Sequence, residues 1–140
     1  MKFIKRRDGQ EVGVEAAKIS AKNLRGASLH GALLADWDLS GFDLSSADLR
    51  SADLTDANLS GANLRGASLA NAVLIRANLS SSDLEGANLA GAWLDGADLR
   101  NANLQEADIG FASLKEVHIG GAMMGWKRSE LAEIEAIVEE

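Results

Sequence analysis

One spacing dominates this chain. Stepping by five from Ile19 gives Leu24, Leu29, Leu34 and onward through Leu104, Ile109, Leu114, Ile119 and Met124, and all 22 positions are large and aliphatic. Five steps of an α-helix rotate the chain by roughly 140° beyond one turn, so these residues would define no face. In a flat strand an odd spacing sends successive side chains to opposite faces. A coil that turns a corner once every five residues satisfies the pattern, because each large residue then points to a central axis.

The other slots of the repeat support the same reading. Two positions before the large residue, the centre, stands Ala almost throughout, as at Ala47, Ala52, Ala57, Ala62 and Ala67. One large and one small inward side chain per side fill a narrow interior without voids. One position before the centre the residue is mostly Asp, Asn or Ser, short polar side chains that bond nearby backbone at turns. Two positions after it glycine is favoured, as at Gly26, Gly61 and Gly91. A type II turn after each centre requires φ > 0 in that slot.

The stretch Ser46-Ala47-Asp48-Leu49-Arg50-Ser51-Ala52-Asp53-Leu54-Thr55-Asp56-Ala57-Asn58-Leu59 resembles the pentapeptide repeat family, whose pattern is A-(D/N)-L-x-x. The resemblance extends over about residues 17–124. It implies an all-β solenoid, a right-handed quadrilateral β-helix with four repeats per coil. The 22 centres would then make about 5.5 coils, roughly 26 Å of stack at the ~4.8 Å strand spacing. Domain limits follow: residues 1–14 as an N-terminal β-hairpin cap, 15–125 as the β-helix and 126–140 as a C-terminal helix.

The hairpin is read from Phe3-Ile4-Lys5-Arg6-Arg7, the turn signal Asp8-Gly9, and Gln10-Glu11-Val12-Gly13-Val14. At the other end Ser129 is a candidate N-cap, and Leu131, Ile134, Ile137 and Val138 recur at helical spacing. So short a helix must pack on something. With Trp126 it either lids the last coil or pairs with a second chain, and the family resemblance, in which some members dimerise through their C-terminal ends, leaves a homodimer open.

Some residues break the pattern. Trp37 and Phe42 replace Ala on adjacent sides and suggest a local bulge with extra packing, and Lys22 replaces it where the interior opens to water. Leu33, Val73 and Trp93 replace the outward Asp or Asn, and their numbers differ by multiples of twenty. In a four-sided coil they fall in one column, with Ile75 on the same side. Such a strip is a candidate contact for a partner or a second copy; otherwise it is covered by a terminal segment of the chain itself or is scattered surface Leu and Val. Ser40, Ser60 and Ser80 form a column of solvated hydroxyls, with no histidine beside them to act as a base.

Chemistry is poorly provided for. There is no cysteine, the two histidines His30 and His118 read as surface residues, and no His/Cys/Asp/Glu group has metal spacing. A convex rod without long loops offers no desolvated pocket for an acid–base pair. No cofactor or enzymatic activity is expected. The start of the chain lacks the apolar core of a secretory signal, and no stretch is long and apolar enough to span a membrane, so a cytoplasmic location is expected.

The net charge of −7 disfavours direct nucleic-acid binding. A rigid protein-interaction scaffold of unknown partner is the leading expectation. The alternative comes from the resemblance: some pentapeptide repeat proteins mimic duplex DNA and act on type II topoisomerases such as DNA gyrase. The side through Leu34, Leu54 and Leu74 would carry that acidity, on Asp36, Asp53, Asp56 and Asp95. Its charge is sparse beside the one per ~1.7 Å of DNA.

Overall fold

The computed structural model describes residues 1–125, so the expectations for Trp126, Leu131, Ile134, Ile137 and Val138 lie outside the described residues. The chain begins with strands β1 (Lys2–Lys5) and β2 (Glu11–Val14), paired antiparallel in the register Lys2↔Val14 to Lys5↔Glu11. The connection closes with the Gly9 N–H on the Arg6 carbonyl at 3.1 Å, and Gly9 takes φ 83°. A short helix, α1 (Ala16–Ser20), follows. From there to residue 124 the chain is an all-β solenoid. Its ladder joins residue i to residue i + 20 in parallel, from Asn23↔Asp43 to Trp93↔Ser113 and Asp98↔His118. The pairing lengthens to two residues at strands β3 (Asn103–Leu104) and β4 (Met123–Met124).

The hydrogen bonds of one repeat explain its composition. Ala62 N–H bonds the Leu59 carbonyl across the corner (3.1 Å), and Asn63 N–H bonds Phe42 O in the coil below (2.9 Å). Leu64 and Gly66 N–H bond Asp83 O and Glu85 O in the coil above (2.7 and 3.0 Å). The fifth donor, Arg65 N–H, has no backbone partner and takes Asn63 Oδ1 at 3.1 Å. The Asp/Asn slot therefore completes a ledger in which every amide of the repeat is satisfied. The same side-chain bond recurs from Asp43 to Ser45, Asn78 to Ser80 and Asp98 to Arg100.

Every corner has φ > 0 in the slot two after the centre, and no residue between the centre and that slot does. The corners are therefore type II turns. Of the twenty residues in that slot, nine are glycine and eleven are not, so stacking imposes the conformation even where the side chain opposes it. With four such corners between bridge partners, the coil has four sides. Leu and Ala alternate into its axis: Leu64 is 0% exposed and Ala62 1%. Each fully buried Leu contributes about 1.5–3 kcal/mol.

Three expectations are corrected. Ile19 does not open the solenoid; it lies in α1, which leaves about five coils between residues 24 and 124 rather than about 5.5. Trp37 and Phe42 cause no bulge, because the bridges Asp38↔Asn58 and Asp43↔Asn63 beside them keep the twenty-residue register. Phe42 is buried and Trp37 half-buried, with Lys2 Nζ 4.9 Å from the Trp37 ring centroid. Lys22 does not line an opened interior. It ends α1 at φ 53°, its N–H on Ile19 O and the next N–H, of Asn23, on Lys18 O. This is a Schellman closure, with the exposed Lys22 Nζ 3.3 Å from Ser40 O.

Candidate functional site

The side of the solenoid centred on Leu34, Leu54, Leu74 and Leu94 carries the candidate apolar residues. Its outward column is Leu33, Asp53, Val73, Trp93 and Ser113, each bridged to the next. Asp53 interrupts the strip, so Leu33 is separated from Val73 and Trp93. Leu33 also lies at the seam with the N-terminal hairpin, its N–H on Lys5 O at 2.8 Å. Trp93 is 54% exposed, Leu33 40%, and Val73 and Ile75 are half-buried.

A further residue belongs with them. Phe111 is fully exposed and has φ 58°, a left-handed conformation that a bulky side chain resists. It stands two residues before Ser113, the bridge partner of Trp93, at the corner flanking the top of the column. The spacing argument missed it because that argument sought outward residues next to the centre. The legible signal is an aromatic in the slot that prefers glycine.

The apolar column also gives up local hydrogen bonding. Leu33, Val73 and Trp93 cannot accept the N–H two residues on, and the amides of Ala35, Ile75 and Asp95 have no protein partner among the described residues. Asp53, in the same column, accepts both Thr55 N–H (3.1 Å) and Thr55 Oγ1–H (2.7 Å).

The four acidic candidates do not form a free anionic face. Arg76 grips Asp56 with Nε and Nη2, both at 2.9 Å, and lowers its pKa. Asp95 accepts Ser113 Oγ–H at 2.6 Å and Lys115 N–H at 3.2 Å from the next coil. Asp53 serves its own turn. Asp36 is the one whose carboxylate has no hydrogen bond or salt bridge among the described residues, and it sits at a corner at φ 64°.

Ser40 and Ser80 donate their hydroxyls to Asp38 Oδ1 and Asn78 Oδ1, each at 2.6 Å, within their own turns. Among the described residues no group of His, Cys, Asp and Glu is placed to hold a metal ion, and no helix is long and apolar enough to cross a membrane.

The repeat is now established in both sequence and backbone, and the profile of pentapeptide repeats matches in eight copies over residues 23–66, 52–89 and 82–121. The chain belongs to the pentapeptide repeat family. A pentapeptide repeat protein from the Arabidopsis thaliana thylakoid lumen is 32% identical, over 79% of this chain and 67% of that one, with a TM-score of 0.57. The pentapeptide repeat protein Rfr23 of the cyanobacterium Cyanothece 51142 is 36% identical, over 69% of this chain and 63% of that one, with a TM-score of 0.58. QnrB1, a plasmid-mediated fluoroquinolone resistance protein, shares the fold at a TM-score of 0.52 and 17% identity, over 76% of this chain and 65% of that one. No curated protein sequence matches the chain.

Proposed function

We propose that this protein is a rigid interaction module whose contact surface is the side carrying Val73 and Trp93, flanked by Phe111 at one corner and Ile75 at the other. One observation carries the reading: Phe111 is held fully exposed in a left-handed turn. Backbone strain and an uncovered ring are both unfavourable in the free chain, and a partner that covers the ring recovers the second cost. Trp93 beside it is the residue type that most often anchors an interface. The repeat gives up its turn bonds at Val73 and Trp93, so folding alone does not account for these side chains.

The test compares the wild-type protein with a Trp93→Ser/Phe111→Ser variant as immobilised bait. Both substitutions are at exposed positions, so the variant should melt within a few degrees of wild type. A partner retained by the wild type and released by the variant supports this surface. An identical captured set would remove it.

The alternative is mimicry of DNA toward a type II topoisomerase such as gyrase, and its support is weaker. Asp56 is neutralised by Arg76, and Asp53 and Asp95 are spent on turn and inter-coil hydrogen bonds. A supercoiling assay, with and without a fluoroquinolone, addresses it directly. Inhibition or drug protection at low micromolar protein would displace the proposal above.

A further inference from the structure

The first coil has an unfinished edge. Throughout the stack, the residue before each centre donates its N–H to the coil below, as Asp48 does to Ala27 O. Its carbonyl, and that of the residue after the centre, accept from that coil, as Asp43 O does from Leu24 and Ser45 O from Gly26. The first coil has no coil below it. The hairpin and α1 supply part of the missing set: Lys18 O takes Asn23 N–H, Arg6 Nη2 reaches Ser28 O, and Lys5 O takes Leu33 N–H. Along residues 23–28 three ladder positions stay open. The Asn23 carbonyl, the Arg25 carbonyl and the Ser28 N–H have no partner among the described residues.

A cleft of about 810 Å³ lies over that length of edge. Residues 23–28 line it continuously, and the facing wall is Val12, Gly13 and Val14 of β2 with Glu15 and Lys18 of the connection to the coils. Leu24, Leu29 and Val14, all buried, bring the apolar core to its floor. Open backbone groups beside an apolar floor are what an added strand requires.

The charge at this end selects the occupant. Residues 1–30 hold seven Lys and Arg against three Asp and Glu, in a chain whose net charge is −7. At the cleft itself, Lys18 and Arg25 are exposed and neither makes a salt bridge among the described residues; Glu15 lines the cleft, and Asp43 in the next coil lies within electrostatic range of Arg25.

We propose that this cleft binds an extended, acidic peptide segment of a partner protein, added parallel to residues 23–28 as one more strand of the ladder. Two peptide N–H groups meet the Asn23 and Arg25 carbonyls, and one peptide carbonyl takes the Ser28 N–H. The peptide residue stacked over Leu24 is aliphatic, as in every column of the solenoid, and carboxylates flanking it face Lys18 and Arg25. The Met1 side chain, lying across Gly13 at the mouth, is an exposed, unbranched thioether that can swing aside. This site lies at the opposite end of the stack from Trp93 and Phe111 and does not depend on the role proposed for them.

The probe is the fluorescein-labelled octapeptide with the sequence of residues 92–99 (AWLDGADL), which carries the repeat pattern, two carboxylates and no cation. It is titrated into the full chain and followed by anisotropy and by amide NMR. The expected result is saturable binding at sub-millimolar peptide with a shift and slowed exchange at the Ser28 amide. Lys18→Glu/Arg25→Glu should weaken it about tenfold or more without changing the circular dichroism spectrum or melting temperature. A peptide bearing Asp95→Lys and Asp98→Lys should lose binding to a similar degree. No anisotropy change up to millimolar peptide overturns the proposal. So does a response confined to amides of the last coil, such as Ile109 and Leu114, or sedimentation showing that a second copy of the chain fills the cleft.

Discussion

At the scale of single residues, the repeat distributes its work over five slots, and two of them set what a substitution costs. The slot two after each centre is conformational. Gly61 has φ 66° and nothing within 4 Å of where a Cβ would sit, so Gly61→Ala introduces strain and no clash. Phe111 is the converse, a bulky side chain at φ 58° that packs on nothing. Phe111→Gly should therefore stabilise the free chain by about 1 kcal/mol, and Gly61→Ala should destabilise it by a similar amount. Urea titration followed by circular dichroism reads both midpoints. A lower midpoint for Phe111→Gly would mean that the ring contributes to folding, and would remove the main argument for a contact surface there. The slot before the centre is chemical. The choice of Asp or Asn there was legible as turn bonding, because a short acceptor two residues before an unpaired amide has an obvious use. That serine at Ser28 and Ser68 makes no such bond was not legible; only the folded structure distinguishes it.

At the scale of elements, the stack stands on side-to-side ladders between neighbouring coils, and the period of five was enough to read that much. Ile19 shows where a single slot misleads. Its size and spacing fit the repeat, but Lys18 replaces the turn acceptor and Ala21 the glycine, and Ala16, Ala17 and Lys18 all favour helix. Agreement of several slots, not of the centre alone, marks a coil. The pairing of the hairpin with the first coil through Arg6↔Ala32 was beyond reach, because it depends on which edge of β1 meets the stack. Trp37 and Phe42 were misread as a bulge because a large side chain in a small slot was equated with backbone distortion. The column tolerates them near its open end, where Trp37 reaches outward to Lys2. At mid-stack there is no such outlet. Leu64 is 0% exposed, enclosed by its own coil and those on either side. Leu64→Asp places a carboxylate there without a partner, which costs several kcal/mol against a total stability of about 5–15 kcal/mol. The variant should fail to fold, seen as loss of the β signal in circular dichroism and early elution in gel filtration. A soluble variant with a wild-type melting curve would contradict the coil register.

At the scale of the whole molecule, the strip illustrates the limit of reading columns from numbers. Multiples of twenty placed Leu33, Val73 and Trp93 together correctly, but contact also depends on what lies between, and Asp53 separates the first from the others. Acidity was likewise legible as a sum and not as a distribution, because the partners of the carboxylates are set by stacking. Those partners determine how the molecule responds to acid. The Asp43 carboxyl is held below its ordinary value of 3.8 chiefly by the Ser45 hydroxyl, and Asp48 and Asp98 chiefly by the guanidiniums of Arg50 and Arg100. A carboxyl whose pKa is depressed on folding adds stability that is fully present above the unfolded value and lost as pH falls through the folded one. The melting temperature should therefore be insensitive to these groups from neutrality down to about pH 5 and should fall below about pH 4. Acid also turns the net charge from −7 to strongly positive, because 14 Lys and Arg remain charged while 21 Asp and Glu are neutralised. That repulsion is long-ranged and screened by salt, whereas the hydrogen bonds at Asp43, Asp48 and Asp98 act at contact. Two measurements separate the contributions. Adding 0.5 M salt, where the screening length is only about 4 Å, should restore part of the acid loss. Replacing Asp43, Asp48 and Asp98 together with Asn should flatten much of the remainder, because Asn still accepts the turn amide, as Asn63 does from Arg65, but does not titrate in this range. If salt alone abolishes the acid transition, the local bonds contribute nothing to it and only the charge of the rod as a whole governs its acid stability.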